Sequence, residues 1–567
     1  MLTEKRICQN CQQNFVIEPE DFEFYAKIKV PPPTWCPECR MMMRFASINL
    51  LKLYKRPCGK CGKQTVTIHH PESPLKVYCL PCWWADDWDG TEYGREYDDQ
   101  KPFFQQLREL QLEAPFQALE AAYLTLVNSD YATSLGHCKN CYLIFWADFC
   151  ENVLYSVFLN NLKDSLDCYR VKDSELLYEC IGINKSSRCY FSEECDGCMD
   201  MWFSRSCFGC TNCLGCINLR SKSFCIFNKQ YTKEEYFKKL ASMNLASRKQ
   251  LAAYRAEAHA FWLKYPHRAY IGNSLNLNVT GDYVYESKNT KEAFMVSGAE
   301  DSRYVQFISV PSAKDCYDYT GWGNDVELIY QSAVVGENSN NVKFSFECWP
   351  NAMNIEYSIY AISSKNVFGC VNLKKKEYAI LNKVYTKEKF MELRDKIIKD
   401  MKERPFVDEQ KRLWTYGDYL PISILHFAYN ESLASEFWPK GKEEVRALGF
   451  VWREGASNLH AATISAEQVP DTIEAVGDDI TNETIGCVAC GNAFRIISQE
   501  LSLYRTMQIP IPVECPMCRI KARFARSAKP KFYDRTCSKC GKEIKTSYAP
   551  NRPEIVYCEA CYQNAVA

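Results

Sequence analysis

Cys8-Gln9-Asn10-Cys11, Cys36-Pro37-Glu38-Cys39, Cys58-Gly59-Lys60-Cys61 and Cys79-Leu80-Pro81-Cys82 are four C-x2-C pairs near the start of the chain. The series returns near its other end as Cys487-Val488-Ala489-Cys490, Cys515-Pro516-Met517-Cys518, Cys537-Ser538-Lys539-Cys540 and Cys558-Glu559-Ala560-Cys561, each pair 479 positions after its counterpart. Phe15/Phe494, Tyr25/Tyr504, Arg40/Arg519, Arg44/Arg523, Phe45/Phe524, Tyr54/Tyr533 and Arg56/Arg535 keep the same offset. A unit of about 80 residues has therefore been duplicated.

A C-x2-C turn puts two thiolates side by side, and two such turns complete the tetrahedral shell preferred by structural zinc. The sixteen cysteines predict four all-thiolate sites and four structural Zn2+ ions as the cofactor. Consecutive pairing (Cys8, Cys11, Cys36, Cys39, then Cys58, Cys61, Cys79, Cys82, and likewise in the copy) is the simplest, although an interleaved cross-brace fits the spacing too. Each unit is too small to bury a sufficient core, so metal binding, on the order of 10 kcal/mol per site, supplies most of its folding free energy. Four thiolates leave no position for water, which argues against zinc catalysis. His69 and His70 lie between two knuckles, but the copy has Tyr548 and Ala549 there, so both read as surface histidines. Trp83, Trp84 and Trp88 read as packing against the zinc core.

The 567 residues carry 32 Cys, 69 Lys+Arg and 70 Asp+Glu, a net charge of -1 that excludes a uniformly basic nucleic-acid coat and an acidic disordered tail. Such a length predicts several domains or an elongated array. Met1-Leu2-Thr3-Glu4-Lys5-Arg6 lacks the apolar stretch of a secretory signal, and no apolar run has the length of a membrane span. A cytoplasmic location and no membrane partner are expected; in a reducing compartment regularly paired cysteines point to metal.

The middle of the chain is also duplicated: Gly215-Cys216-Ile217-Asn218-Leu219 recurs as Gly369-Cys370-Val371-Asn372-Leu373, and Tyr231-Thr232-Lys233-Glu234 as Tyr385-Thr386-Lys387-Glu388, an offset of 154. Thr232 and Glu235 have capping-box spacing, so a helix running to about Lys264 closes the first half and a second helix closes the other. Upstream lie short apolar beads such as Asn152-Val153-Leu154-Tyr155, Arg188-Cys189-Tyr190 and Asn354-Ile355-Glu356-Tyr357. Short strands that cannot bury a face alone must stack on neighbours, the logic of a parallel β-solenoid. Two beads per turn would give about four coils from Tyr131 to Phe227. Closed antiparallel sheets are the alternative. Cys195, Cys198, Cys207, Cys210, Cys213 and Cys216 come near an iron–sulfur spacing, but Ile217 stands where proline would follow, and Cys207, Cys210 and Cys213 become Ala361, Ser364 and Val367 in the second copy. They read as buried thiols, as do Cys138 and Cys141; additional metal there stays open.

The fold class is multidomain and mainly β: duplicated terminal zinc-ribbon or treble-clef-like modules flank a parallel β-solenoid of two repeats, each closed by a helix. Along the chain this gives an N-terminal tandem zinc module at 1–97, a helical connector at 98–130, solenoid halves at 131–264 and 265–404, an aromatic linker module at 405–483 and a C-terminal tandem zinc module at 484–567. A helix from about Lys101 to Val127 should lead into the first coil.

Cys8-x2-Cys11, Phe15, Phe24-Tyr25, Pro31-Pro32-Pro33 and Cys36-Pro37-x-Cys39-Arg40 resemble zinc-ribbon modules of many uncharacterised bacterial proteins. The central Gly-Cys-x-Asn-Leu signature is similar to the cysteine-rich repeats that accompany them. The resemblance implies metal-bearing ends and a solenoid-like centre, and brings no activity with it.

For function, Cys487 to Cys561 hold 13 Lys+Arg against 6 Asp+Glu. Arg519, Lys521, Arg523, Arg526, Lys529, Lys531 and Arg535 interleave with Phe524, a composition suited to RNA or single-stranded DNA. Nucleic-acid binding by this C-terminal module is the leading expectation. A protein-interaction scaffold with structural zinc ends is the alternative, and a carbohydrate-active or redox enzyme on the solenoid the second alternative. No catalytic residue is assigned, since no acidic pair, phosphate loop or HExxH set is found.

Overall fold

In the computed structural model, which describes residues 3–454 and 461–566, the backbone of the middle region enters the left-handed region at every third residue. Asn140, Leu143, Trp146, Phe149 and Asn152 begin a run that continues through Asp164 and Asp167 to Glu179, with φ between 45° and 59°. L-residues pay for that conformation, and Asn and Asp pay least. The asparagines are stacked, with the Asn128 amide donating to Asn140 (3.1 Å), Asn140 to Asn152 (3.2 Å) and Asn152 to Asp164 (2.8 Å).

These corners set the length of a rung. Strands pair parallel with the register Glu175 to Ser187, Ser187 to Met199, Met199 to Thr211 and Thr211 to Ser223, twelve residues per step. Ten strands join in this first ladder, parallel except for the last pair, Ser223–Ile226 with Lys229–Gln230. Each bead is therefore a rung of its own, and the expected two beads per turn is corrected to one, because a left-handed corner every third residue turns the chain back within twelve. The second ladder, of fifteen strands, has steps of twelve, thirteen and fourteen residues, as in Gly281 to Ala293, Tyr317 to Tyr330 and Arg303 to Tyr317. The added residues explain why the offset between the ladders drifts from 151 at Asp167/Asp318 to 154 at Gly215/Gly369.

Period-twelve stacking puts Leu177, Cys189, Met201, Cys213 and Cys225 in one buried column. Thiols alternate there with Leu and Met, as small hydrophobes do. They also take the place of serine: the Cys198 N–H donates to Ser186 Oγ (3.0 Å) and one rung on the Cys210 N–H donates to Cys198 Sγ (3.4 Å).

The chain forms two compact units, each made of three stretches. Unit 1 contains Met1–Ala118, Tyr270–Glu454 and Pro530–Phe532; unit 2 contains Leu119–Ala269, Gly455–Lys529 and Tyr533–Ala567. The six consecutive segments read along the sequence are thus regrouped. The N-terminal cysteine module shares a unit with the second ladder, and the C-terminal module with the first. The linker module is divided between the units, and residues 455–460 within it lie outside the described residues. The connector helix, expected from about Lys101 to Val127, runs only over Phe103–Glu113, and it packs on the second ladder through Phe103 against Tyr357 (5.7 Å) and Phe368 (5.0 Å). After the first ladder the closing helix is broken into Lys233–Ser242, with the Thr232/Glu235 capping box in place, and Arg248–Trp262; Lys387–Glu403 follows the second. Among the described residues no helix is long and apolar enough to cross a membrane.

In each unit one amphipathic helix carries the module onto its ladder. In unit 1 the helix Pro37–Ala46 buries Arg40 and Arg44. Arg40 Nε donates to Asp318 Oδ2 (2.9 Å); Arg44 donates to Asp318 Oδ1 (3.2 Å), Thr320 Oγ1 (3.0 Å) and Gln306 Oε1 (3.2 Å). In unit 2 the helix Pro516–Arg526 does the same with Arg519 and Arg523, which close on Asp167 from two sides. Arg523 also donates to Glu179 Oε1 (2.8 Å) and to the Tyr155 carbonyl (2.9 Å). Arg519 lies over the Tyr155 ring at 4.8 Å as Arg40 lies over Tyr304 at 5.6 Å.

Burial pushes the Asp167 carboxyl up to about 6 although both guanidiniums pull it down, so desolvation is a large cost here and the pairing offsets only part of it. Removing one partner strands the others. Asp167→Ala is expected to destabilise unit 2 by about 3–5 kcal/mol in urea unfolding, with Asp318→Ala doing the same to unit 1. Cys198→Ser should stay within about 1 kcal/mol of wild type in the same assay, because a hydroxyl can replace the thiol as acceptor of the Cys210 N–H.

Candidate metal centres

The knuckle turns are locally encoded. After the first C-x2-C of each site the chain turns back sharply, and Gly62, Gly491 and Gly541 take φ of 74° there, each donating its N–H to the carbonyl of the first cysteine at 2.9 Å. Gln12 fills the place in the first knuckle with φ 59°. The second knuckle of a site begins a helix: Cys36 and Cys515 are the N-caps of Pro37–Ala46 and Pro516–Arg526, and Cys79 of Leu80–Trp84, each with proline in the first turn. Thiolates there face the positive end of the peptide dipoles.

Four tetrads result: Cys8, Cys11, Cys36, Cys39; Cys58, Cys61, Cys79, Cys82; Cys487, Cys490, Cys515, Cys518; and Cys537, Cys540, Cys558, Cys561. The four sulfurs of each lie within 4.8 Å of one another. Consecutive knuckles pair. Among the described residues these are the groups of three or more Cys, His or carboxylate ligands gathered in this way, and the ladder cysteines are not among them. Cys11–Cys36 is 3.7 Å between sulfurs, and Cys61–Cys79, Cys490–Cys515 and Cys540–Cys558 are each 3.8 Å. That is far too long for a disulfide. It matches the edge of a tetrahedron, roughly 3.8 Å, around an ion with about 2.3 Å metal–sulfur bonds.

The same backbone bond recurs in all four sites. The N–H of the third cysteine donates to the sulfur of the first at 3.2 Å: Cys36 to Cys8, Cys79 to Cys58, Cys515 to Cys487 and Cys558 to Cys537. Burial raises the Cys58 and Cys537 thiols, but these donors and others from the knuckle loops outweigh it and bring both down to about 6; Cys487 falls to about 7 for the same reason. Behind each second site an arginine ties the loop between knuckles: Arg56 donates to the His70 and Leu75 carbonyls (3.4 and 3.2 Å), and Arg535 to those of Ala549 and Glu554 (3.4 and 3.4 Å).

His69 is not on the surface as the sequence suggested. It is buried between Phe116 and Phe427, bonded through Nε2 to the Gln117 carbonyl (3.1 Å), and burial holds it down to about 3; it joins no tetrad. Trp83 and Trp88 are buried with Ile362, and Trp83 Nε1 donates to the Pro115 carbonyl (3.0 Å).

Six of the eight residues expected to contact nucleic acid have other partners. Arg519 and Arg523 are buried in ion pairs, which corrects the phosphate-binding role read from the sequence: neither can reach solvent without abandoning Asp167. Phe524 is buried against Tyr169 (4.8 Å). Arg526 meets Glu193 and Glu179 (3.3 and 3.5 Å), Arg535 is the loop strut, and Lys531 pairs with Glu38 (3.0 Å). Lys521 is exposed and Lys529 half-buried. Asp167, Glu179, Glu193 and Glu500 were missed as their acceptors. The signal available was the i,i+4 spacing of Arg40/Arg44 and Arg519/Arg523, repeated on one helix face beside apolar residues.

In comparison with known protein families the chain matches none, and in comparison with curated proteins it likewise matches none. What stands is a cysteine-rich chain with four cysteine tetrads suited to metal binding.

Cys39→Ser and Cys518→Ser should each lower bound metal by one ion per chain in elemental analysis. Acid should release metal, since protons compete for thiolates. The lowered thiols add stability that is present above the ordinary thiol range and is lost as pH falls through about 7 to 6, so unfolding in the presence of a chelator should become easier across that window.

Proposed function

We propose that the protein is a zinc-stabilised, non-enzymatic scaffold in which four structural Zn2+ ions hold the terminal modules on two parallel β-solenoid halves. The four tetrahedral thiolate groups carry this reading. All four ligand positions are protein sulfur, so the ion builds a fold and activates no water. The twelve-residue parallel register with left-handed corners supports the solenoid, whose long flank suits a protein partner. Native mass spectrometry of the purified chain tests the metal assignment: four zinc per chain is expected, and iron or a metal-free folded chain overturns it.

Binding of single-stranded nucleic acid is a second reading, favoured by one feature. The hairpin Tyr533–Thr536/Glu543–Thr546 carries exposed Lys539, Lys542 and Lys545 around its knuckle. Such a site would be electrostatic. A salt titration with labelled single-stranded RNA should show affinity falling steeply with salt, and Lys539→Glu/Lys542→Glu/Lys545→Glu should abolish it; affinity that survives the triple change removes the reading.

A further inference from the structure

The two docking sites are copies, yet each module sits on the ladder that is farther from it in the chain. The register aligns them residue by residue. Tyr178 and Tyr330 are equivalent, each packing on a tyrosine of its module: Tyr504 at 5.7 Å and Tyr25 at 5.6 Å. One and two rungs back, Leu166 matches Tyr317 and Leu154 matches Arg303.

With the alignment fixed, the charges differ. The first ladder presents Asp167, Glu179 and Glu193; the equivalent residues of the second are Asp318, Gln331 and Phe346. The C-terminal module brings Arg519, Arg523 and Arg526; the N-terminal module brings Arg40, Arg44 and Ser47. Three cations thus meet three carboxylates in unit 2. In unit 1 two cations share one carboxylate, completed by Thr320 and Gln306. The reverse pair is also distinct. Asp21 of the N-terminal module accepts from Arg303 (2.9 Å), whereas its equivalent Glu500 is satisfied by Tyr155 (2.8 Å), Tyr504 (2.7 Å) and Arg519 (3.3 Å).

We propose that these unmatched positions are a sorting code: Arg526 with Glu179 and Glu193, and Asp21 with Arg303, assign each module to its ladder. An N-terminal module on the first ladder would set Asp21 against Leu154 and leave Glu179 and Glu193 without Arg526. A C-terminal module on the second would press Arg526 against Phe346. Glu179 would keep Arg255 (3.1 Å) and Glu193 Arg205 (3.2 Å), but each error takes one neutralising partner from buried charge, and Asp21 loses Arg303; specificity is built by penalising the wrong complex in this way. In the chain the N-terminal module is followed by the connector and then by the first ladder, so chain order alone does not assign it to the second.

The inference holds whether or not zinc is the ion in the tetrads. Hydrogen exchange of helix 516–526 in the full-length chain tests it as a mutant cycle. Glu179→Gln/Glu193→Phe, which gives the first ladder the second ladder's side chains, should speed exchange there about tenfold or more, as should Arg526→Ser. In the triple variant the loss should be clearly smaller than the product of the two parents' losses, since Arg526 no longer faces missing carboxylates while the effects on Arg523, Arg255 and Arg205 are common to both backgrounds; helix 37–46 should be unchanged throughout. Additive losses in the triple variant, or no loss in either parent, overturn the code. If the double variant does not fold, the Arg526→Ser/Glu193→Phe cycle decides in the same way. Zinc counts on the same samples report separately on the metal reading.

Discussion

A left-handed residue at every third position is the constraint from which the ladders follow. It turns the backbone within twelve residues, so each rung lies on the next in parallel register and like residues form columns. Stacked Asn and Asp side chains offset part of the conformational cost, because each amide donates to the one on the next rung. Along such an interior thiols, hydroxyls and alkyl side chains replace one another from rung to rung, as Leu177, Cys189, Met201, Cys213 and Cys225 do. The first ladder uses cysteine at Cys207, Cys210 and Cys213 where the second has Ala361, Ser364 and Val367, while Cys216 is kept as Cys370.

A ladder of this kind exposes its flank, and the cysteine modules cover part of it. The coupling runs through one helix per unit. Its first turn belongs to a cysteine tetrad and its later turns to the ladder, so the groups that could hold a metal ion also hold the helix that carries Arg40 and Arg44, or Arg519 and Arg523. Those guanidiniums are taken fully out of water and must find Asp318 or Asp167. Metal binding, helix capping and docking are thereby joined in a stretch of about a dozen residues.

Duplication creates a difficulty that the structure answers electrostatically. Two similar modules and two similar ladders admit a wrong assembly, and apolar contacts such as those of the tyrosine pairs would serve either. Buried charge discriminates more sharply, since a missing partner costs more than a present one contributes.

The tetrads, their consecutive pairing as the simplest arrangement, and both duplications were legible in the sequence, because a C-x2-C turn closes locally and exact offsets need no knowledge of folding. The rung length was not. Leu143, Trp146 and Phe149 give no sign of a left-handed backbone, because it is the pairing with neighbouring rungs, and no local preference of these side chains, that holds them there. His69 looked like a surface residue because its copy is tyrosine, and only the packing of Phe116 and Phe427 encloses it. The basic run from Arg519 to Arg535 was read correctly as charge and incorrectly as free charge. A guanidinium looks the same in sequence whether it faces water or a buried carboxylate, and Asp167 lies some 350 residues away. What sequence determined was therefore what short spacing can close. Which ladder each module covers, and which cations remain for a partner, were decided by tertiary burial, where the cost of desolvation depends on residues distant in the chain.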